Sequence, residues 1–282
     1  MKNFLIRAIS GIIFVVIMVV GMAFNAIAMT FLFALVTGMA VWEFTGLMNA
    51  HKGVNINRFI TTAAAIYLYL AFAGYCSNLT PSAVFIPYLL TIVYLFISEL
   101  YLKQSDPIST WAYTMLSQMY VALPISMVNV LGFVSDPTSS LGVTFCGLLP
   151  LCIFVFLWMN DTGAYCIGSL LGKHKLFPRI SPAKSWEGSI GGAIVVLLVA
   201  LLISHLDFVN YPLTTLQWLG LGLTVVVFGT WGDLVESLLK RTIGIKDSGN
   251  ILPGHGGMLD RFDSSLMAMP AAVIYLYTIS FL

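Results

Sequence analysis

The stretch FLIRAISGIIFVVIMVVGMAF at 4–24, a single Asn25, and then AIAMTFLFALVTGMAVWEFTGLM at 26–48 decide how this chain must fold. A bilayer core about 30 Å thick is crossed by roughly 20 apolar residues in a helix, and each run has that length. A cleavable signal peptide would stop at a short apolar core with a small-residue cleavage site, whereas here the apolar character carries on past Asn25. The pair therefore reads as two retained membrane helices. Lys2 and Arg7 mark the first end as the cytoplasmic one, because basic residues near a helix end stay inside.

Seven more runs follow, near 59–77, 83–102, 110–133, 142–167, 188–206, 216–240 and 262–281. Turn chemistry at Asn78, Pro81, Asp106-Pro107, Asp136-Pro137 and Tyr211-Pro212 separates several of them, since proline removes a donor and Asn or Asp bonds its own backbone. The composition agrees: of 282 residues 59% are hydrophobic and 9% charged, with a mean hydropathy of +0.94. A soluble domain carries roughly a quarter charged residues, so a soluble enzyme, a disordered chain and a nucleic-acid binder are excluded. The net charge of +1 is too balanced to make the whole chain a polyanion trap.

Alternating nine spans from an inside N-terminus places the segments near 49–58, 103–109, 168–187 and 240–261 on one face. With Lys2 and Arg7 they hold all 13 lysines and arginines. The other face has Asp136 and Asp207 in short loops. The expected fold is thus an all-α polytopic integral membrane protein with about nine transmembrane helices, N-terminus cytoplasmic and C-terminus outside. It is read as a single membrane domain over 1–282, generic over 1–140 and catalytic over 141–282. Cys76, Cys146, Cys152 and Cys166 show neither a zinc spacing nor a secreted disulfide pattern and read as small apolar packing residues.

Charge inside a membrane helix is costly and marks wet cavities and function. Glu43, Glu99, Asp161, Asp233, Glu236 and Asp263 fall inside spans or at their inner ends. For Glu43 and Glu99 a hydrogen-bonded helix-end residue is as good a reading as a functional one. Asp233 and Glu236 share a helix face, which Ser237 and Lys240 extend by i+4 steps. Nine of the 25 charges lie between 233 and 263: Asp233, Glu236, Lys240, Arg241, Lys246, Asp247, Asp260, Arg261 and Asp263. Between them stand Gly244, Gly249, Gly254, Gly256 and Gly257 with Pro253 and His255. Glycines let successive backbone amides form a concave anion site, and carboxylates such as Asp233 and Asp260 can hold a hard divalent cation that shares substrate phosphate oxygens. Asn160, Asp161 and Thr162 end the sixth span, and Ser181, Lys184 and Ser185 stand where the seventh helix begins and free amides favour anions. No phosphate loop of the G-x-x-x-x-G-K-[ST] type occurs.

SLLKR at 237–241, KD at 246–247 and PGHGGMLDRFD at 253–263 resemble the signature of the phosphatidate cytidylyltransferases, or CDP-diacylglycerol synthases, with every spacing kept. NDTGAY at 160–165 and SPAKSWEG at 181–188 resemble that family's other blocks. The resemblance implies cytidylyl transfer from CTP to phosphatidic acid, with Mg2+ required and Asp233 and Asp260 as its ligands. Asp263 and Glu236 would then serve a second shell or a second cation, divalent or K+. Lys240, Arg241, Lys246 and Arg261 would hold triphosphate or lipid phosphate, helped by Ser181, Lys184 and Ser185. Asn160, Asp161, Asp247, Gly256 and Gly257 complete the expected substrate contacts, and His255 either orients a phosphate, donates a proton or orders its loop. The expected partners are CTP, phosphatidic acid and the bilayer, with no nucleic acid, and a homodimer is compatible with that chemistry. The expected location is the bacterial inner membrane with the site facing the cytoplasm. Two other classes stay open: a CTP-dependent lipid or polyprenol kinase, and an ion-coupled transporter using acids inside its helices.

Overall fold

A computed structural model describes residues 2–206, 211–249 and 256–280. The chain divides into two units, residues 1–147 with 247–261 and residues 148–246 with 262–282. Asp207 and His255 lie outside the described residues, as do Pro253 and Gly254.

In the first unit, α1 (Lys2–Ala23) and α2 (Ala26–Lys52) are the two opening helices. Asn25 is the reason they are two: its side chain accepts the amide of Ala28 at 2.8 Å and so caps α2. Gly53 ends α2 in the left-handed conformation at φ 65°. α3 (Arg58–Cys76) follows, then a 3₁₀ turn at Ser82–Phe85 running into α4 (Ile86–Leu102). α5 (Pro107–Leu116), a π turn at Ser117–Ala122, α6 (Leu123–Ser126) and α7 (Val128–Gly132) make one composite span. Pro124 cannot donate and would crowd the carbonyl four residues back. The wider turn accommodates it, with Leu123 donating to Gln118 instead.

The unit's core is built on Phe33, Phe44, Tyr69, Met29 and Met48, all fully buried. Some polar side chains inside it bond to backbone carbonyls: Thr37 and Thr45 donate back to Phe33 O and Val41 O, and Gln118 donates to Thr61 O across to α3. The outside is apolar in the opposite sense. On α4, Leu89, Leu90, Val93, Tyr94 and Ile97 are exposed while only Leu95 and Glu99 are buried. In water such a face would be an aggregation surface; in lipid it is the solvated one.

The sixth run was expected from residue 142, and the structure starts that helix at Leu148. Residues 133–145 form a hairpin instead, β1 (Phe133–Ser135) antiparallel to β2 (Val143–Phe145). Asp136 directs it by accepting the amide and hydroxyl of Thr138, which turns the chain before a helix can start.

The second unit comprises α8 (Leu148–Leu171), a hairpin of β3 (Lys175–Phe177) and β4 (Ser181–Ser185), α9 (Trp186–Ser204), α10 (Thr215–Thr242) and α11 (Leu259–Ser280), whose first three residues belong to the first unit. α8 and α9 approach through glycines: a Cβ on Gly163 would lie 3.0 Å from Gly192 Cα, and one on Gly188 would lie 2.8 Å from Ala164 O. Close backbone approach through small residues is how helices associate where lipid removes the hydrophobic drive. Thr214 and Gln217 form a capping box that starts α10. Eight helices among the described residues are long and apolar enough to cross a membrane, and α1 adds the shorter apolar run Ile9–Ala23. The all-α polytopic membrane fold stands.

Candidate functional site

In the second unit, α8, β4, α9 and α10 surround a cavity of about 310 Å³. Asn160 and Asp161 reach it from α8, Lys184 and Ser185 from β4, and Thr230 from α10. Sequence alone had brought the first four to one expected site over a separation of 25 residues, and the hairpin does so physically. Ser185 ends β4 in extended conformation and caps α9 by accepting the amide of Gly188 at 3.1 Å. Lys184 is thereby held at a helix start.

Lys184 Nζ meets Asp233 Oδ2 at 2.5 Å, with both side chains about three-quarters buried. The other carboxylate oxygen of Asp233 accepts the Ser237 hydroxyl at 3.1 Å. One turn on, Lys240 pairs with the fully buried Glu236 at 2.5 Å. The polar stripe read from 233, 236, 237 and 240 is therefore a row of charged contacts along α10. Asp263, half-buried at the start of α11, lies within electrostatic range of Asp233, Asp161 and Lys240. Asn160 is buried, donates to Thr230 Oγ1 at 3.5 Å, and among the described residues has no hydrogen-bond partner on its own Oδ1.

Other expected residues stand apart from that cavity. Arg241 is exposed and donates to Ile245 O, finishing the last turn of α10, where a cation also suits the helix dipole. Lys246 is exposed, and Ser181 opens β4 opposite Phe177.

In the first unit, the segment before α11 is organised by carboxylates. Asp260 Oδ2 accepts the amides of Ser248 and Gly257, both at 2.8 Å. Gly256 sits at φ 81°, and a Cβ there would come 2.5 Å from that same oxygen, so only glycine fits. Asp247 and Arg261 are exposed. Glu43 of α2 accepts from Ser248 Oγ, from Met258 N at 2.9 Å and from Leu259 N at 3.1 Å.

The sequence model of the cytidylyltransferase family matches residues 5–279. The chain belongs to that family. Among its relatives, phosphatidate cytidylyltransferase of Staphylococcus aureus (strain COL) is 51% identical over 123 residues, 44% of this chain and 46% of the relative. That of Staphylococcus haemolyticus (strain JCSC1435) is 53% identical over 125 residues, with the same two shares. That of Staphylococcus saprophyticus is 51% identical over 128 residues, 45% of this chain and 48% of the relative. The matched stretch thus spans just under half the length of these relatives.

For this cytidylyltransferase-family chain, sequence reasoning missed three features of the two units. Thr230 had no signal, being one hydroxyl in an apolar run. The pairing of His174 Nδ1 with Glu187 at 2.5 Å, together with the amides of Lys173 and His174 on the same carboxylate, ties the hairpin to α9. Glu43 was open between a hydrogen-bonded helix-end acid and a functional one, and only its distant partners show what it holds.

Proposed function

We propose that this protein transfers the cytidylyl group of CTP to phosphatidic acid, giving CDP-diacylglycerol and pyrophosphate. The observation that carries the reading is the ion pair of Lys184 with Asp233, with Lys184 lining a cavity that Asn160, Asp161 and Ser185 also line. Family membership and the relatives' names support the same reaction. The lipid phosphate has a second pKa near 6, so it is largely ionised at neutral pH and needs no strong base. One of its oxygens forms a bond to the α-phosphorus of CTP, the bond from that phosphorus to the β-bridging oxygen breaks, and pyrophosphate leaves.

The main obstacle is repulsion between two polyanions. Lys184 and Lys240 offer cations beside Asp233 and Glu236, and such pairs can exchange a carboxylate for a phosphate oxygen of similar geometry. Among the described residues no three His, Cys, Asp or Glu side chains form a ready metal cage. Magnesium keeps several waters and binds through one or two carboxylates plus substrate phosphates. Asp233 and Asp260 keep the metal role the resemblance assigns them, each within its own unit, and Asp263 and Glu236 support it. When bound, the ion neutralises charge on the phosphates and on the leaving pyrophosphate. A second cation, divalent or K+, and a homodimer belong to the same reading. So do a bacterial inner-membrane location and a site facing the cytoplasm, where CTP is supplied and the lipid arrives laterally.

The test is purified protein with phosphatidic acid, magnesium and CTP labelled at the α-phosphate. Label should appear in the lipid and depend on magnesium. Label left in the nucleotide while the lipid gains phosphate would mean a kinase, and intact CTP would favour a transporter. In the same assay Asp233→Asn and Asp260→Asn should each lose at least about tenfold in turnover, equivalent to about 1.4 kcal/mol of barrier, while still inserting and folding.

A further inference from the structure

Glu43 lies in α2, 205 residues before Ser248 and 215 before Met258, yet its carboxylate is the meeting point of both. The side chain is 8% exposed. A carboxylate buried among apolar helices is unfavourable unless donors surround it. Here there are three: the Ser248 hydroxyl and the Leu259 amide on Oε1, and the Met258 amide on Oε2. The backbone has been cleared to allow this. A Cβ on Gly249 would come 2.7 Å from Oε2 of Glu43, and one on Gly257 would come closer still to Oε1.

The same short segment is gripped by Asp260, which takes the amides of Ser248 and Gly257. Ser248 is thus held twice, by its hydroxyl on Glu43 and by its amide on Asp260. Met258 and Leu259, the residues between Gly257 and Asp260, are held by Glu43 alone of the two acids. An apolar side chain at position 43 would fill the space but leave two amides and a hydroxyl unpaired, and leaving buried donors unpaired is the costly outcome.

We infer that Glu43 is a positioning residue for cytidylyl transfer: it fixes the backbone amides of Met258 and Leu259 and the hydroxyl of Ser248, so that Asp260 and Arg261 are presented in one conformation. This rests on the function proposed above and adds to it a residue from the opposite end of the sequence. Glu43 touches no substrate on this reading. It acts on turnover through Asp260.

Two measurements on the full-length protein in lipid nanodiscs test it. Amide exchange should accelerate at Met258 and Leu259 in Glu43→Ala by about tenfold or more, with the amides of α3 unchanged. Turnover should fall about tenfold or more while KM for CTP and for phosphatidic acid each stay within about threefold. Glu43→Gln keeps an oxygen for Ser248 and Leu259 but turns an amide toward Met258, so exchange should quicken mainly at Met258 and turnover should be partly restored. Wild-type exchange in the alanine variant, turnover within about twofold of wild type, or no recovery with glutamine would each overturn the inference. If the alanine variant does not fold, unchanged exchange at Met258 in the glutamine variant overturns it equally. A wild-type protein that transfers no label would refute the proposed reaction, and the exchange measurement would still decide whether Glu43 holds this segment.

Discussion

Lys184 is the residue whose role is most exposed to test, because its ammonium meets Asp233 at 2.5 Å beside the cavity. Replacing it by methionine keeps the length and removes the charge, leaving the Asp233 carboxylate without its cation. Lys184→Met should lower transfer of label to lipid by at least about tenfold, and Lys184→Arg should recover part of it. Normal turnover in the methionine variant would remove Lys184 from the reaction. Asp106 gives a prediction of another kind. It caps α5 by accepting the Ser109 amide at 3.0 Å, and bonding to Ser109 holds its carboxyl below the ordinary value of 3.8. A depressed folded value means stabilisation that is present above the unfolded pKa and lost as pH falls through the folded one. The gap in thermal midpoint between wild type and Asp106→Ala should be open at neutral pH and close on acidification below that range. At this scale the polar row of Asp233, Glu236, Ser237 and Lys240 on one face of α10 was legible from residue type and spacing. The work of Glu43 was not, since no local pattern connects position 43 to position 258.

Helix boundaries were legible wherever a cap or turn residue marks them, as at Asn25, Asp106 and the Thr214 capping box. They were missed at residues 142–147, where Val143 and Phe145 look like membrane helix but pair as a strand with Phe133–Ser135. Apolar residues of high β-propensity suit either state, and the Asp136 turn decides between them. The tight packing of α8 on α9 carries its own prediction. A Cβ on Gly192 would lie 2.5 Å from Asn160 Oδ1 and 2.7 Å from Asn160 O, and the latter is backbone that cannot swing aside. Gly192→Ala should therefore cost about 1–3 kcal/mol, the usual range for overpacking. It would be read as a lowered thermal midpoint in detergent. An unchanged midpoint would mean that the helices can part without penalty.

Across the whole molecule, the placement of all 13 basic residues on one side of the nine expected spans predicts topology. In a variant lacking the four native cysteines, His51→Cys should be labelled by an impermeant maleimide only from the cytoplasmic side. Ser140→Cys, in the turn of the β1–β2 hairpin, should be labelled only from outside. Labelling of both from one side would refute the charge count. The sequence by itself determined that the chain is built for lipid and roughly which stretches are long and apolar enough to cross, and it singled out which acids and bases to look for, because hydropathy, turn residues and motif spacing are local properties. Only the tertiary structure decided which of those groups meet. The ion pair of Lys184 with Asp233 spans 49 positions, and the bonds from Glu43 to Ser248, Met258 and Leu259 span more than 200. Contacts that far apart are selected by helix packing and by the need of buried donors and acceptors for partners, which no short window of sequence records.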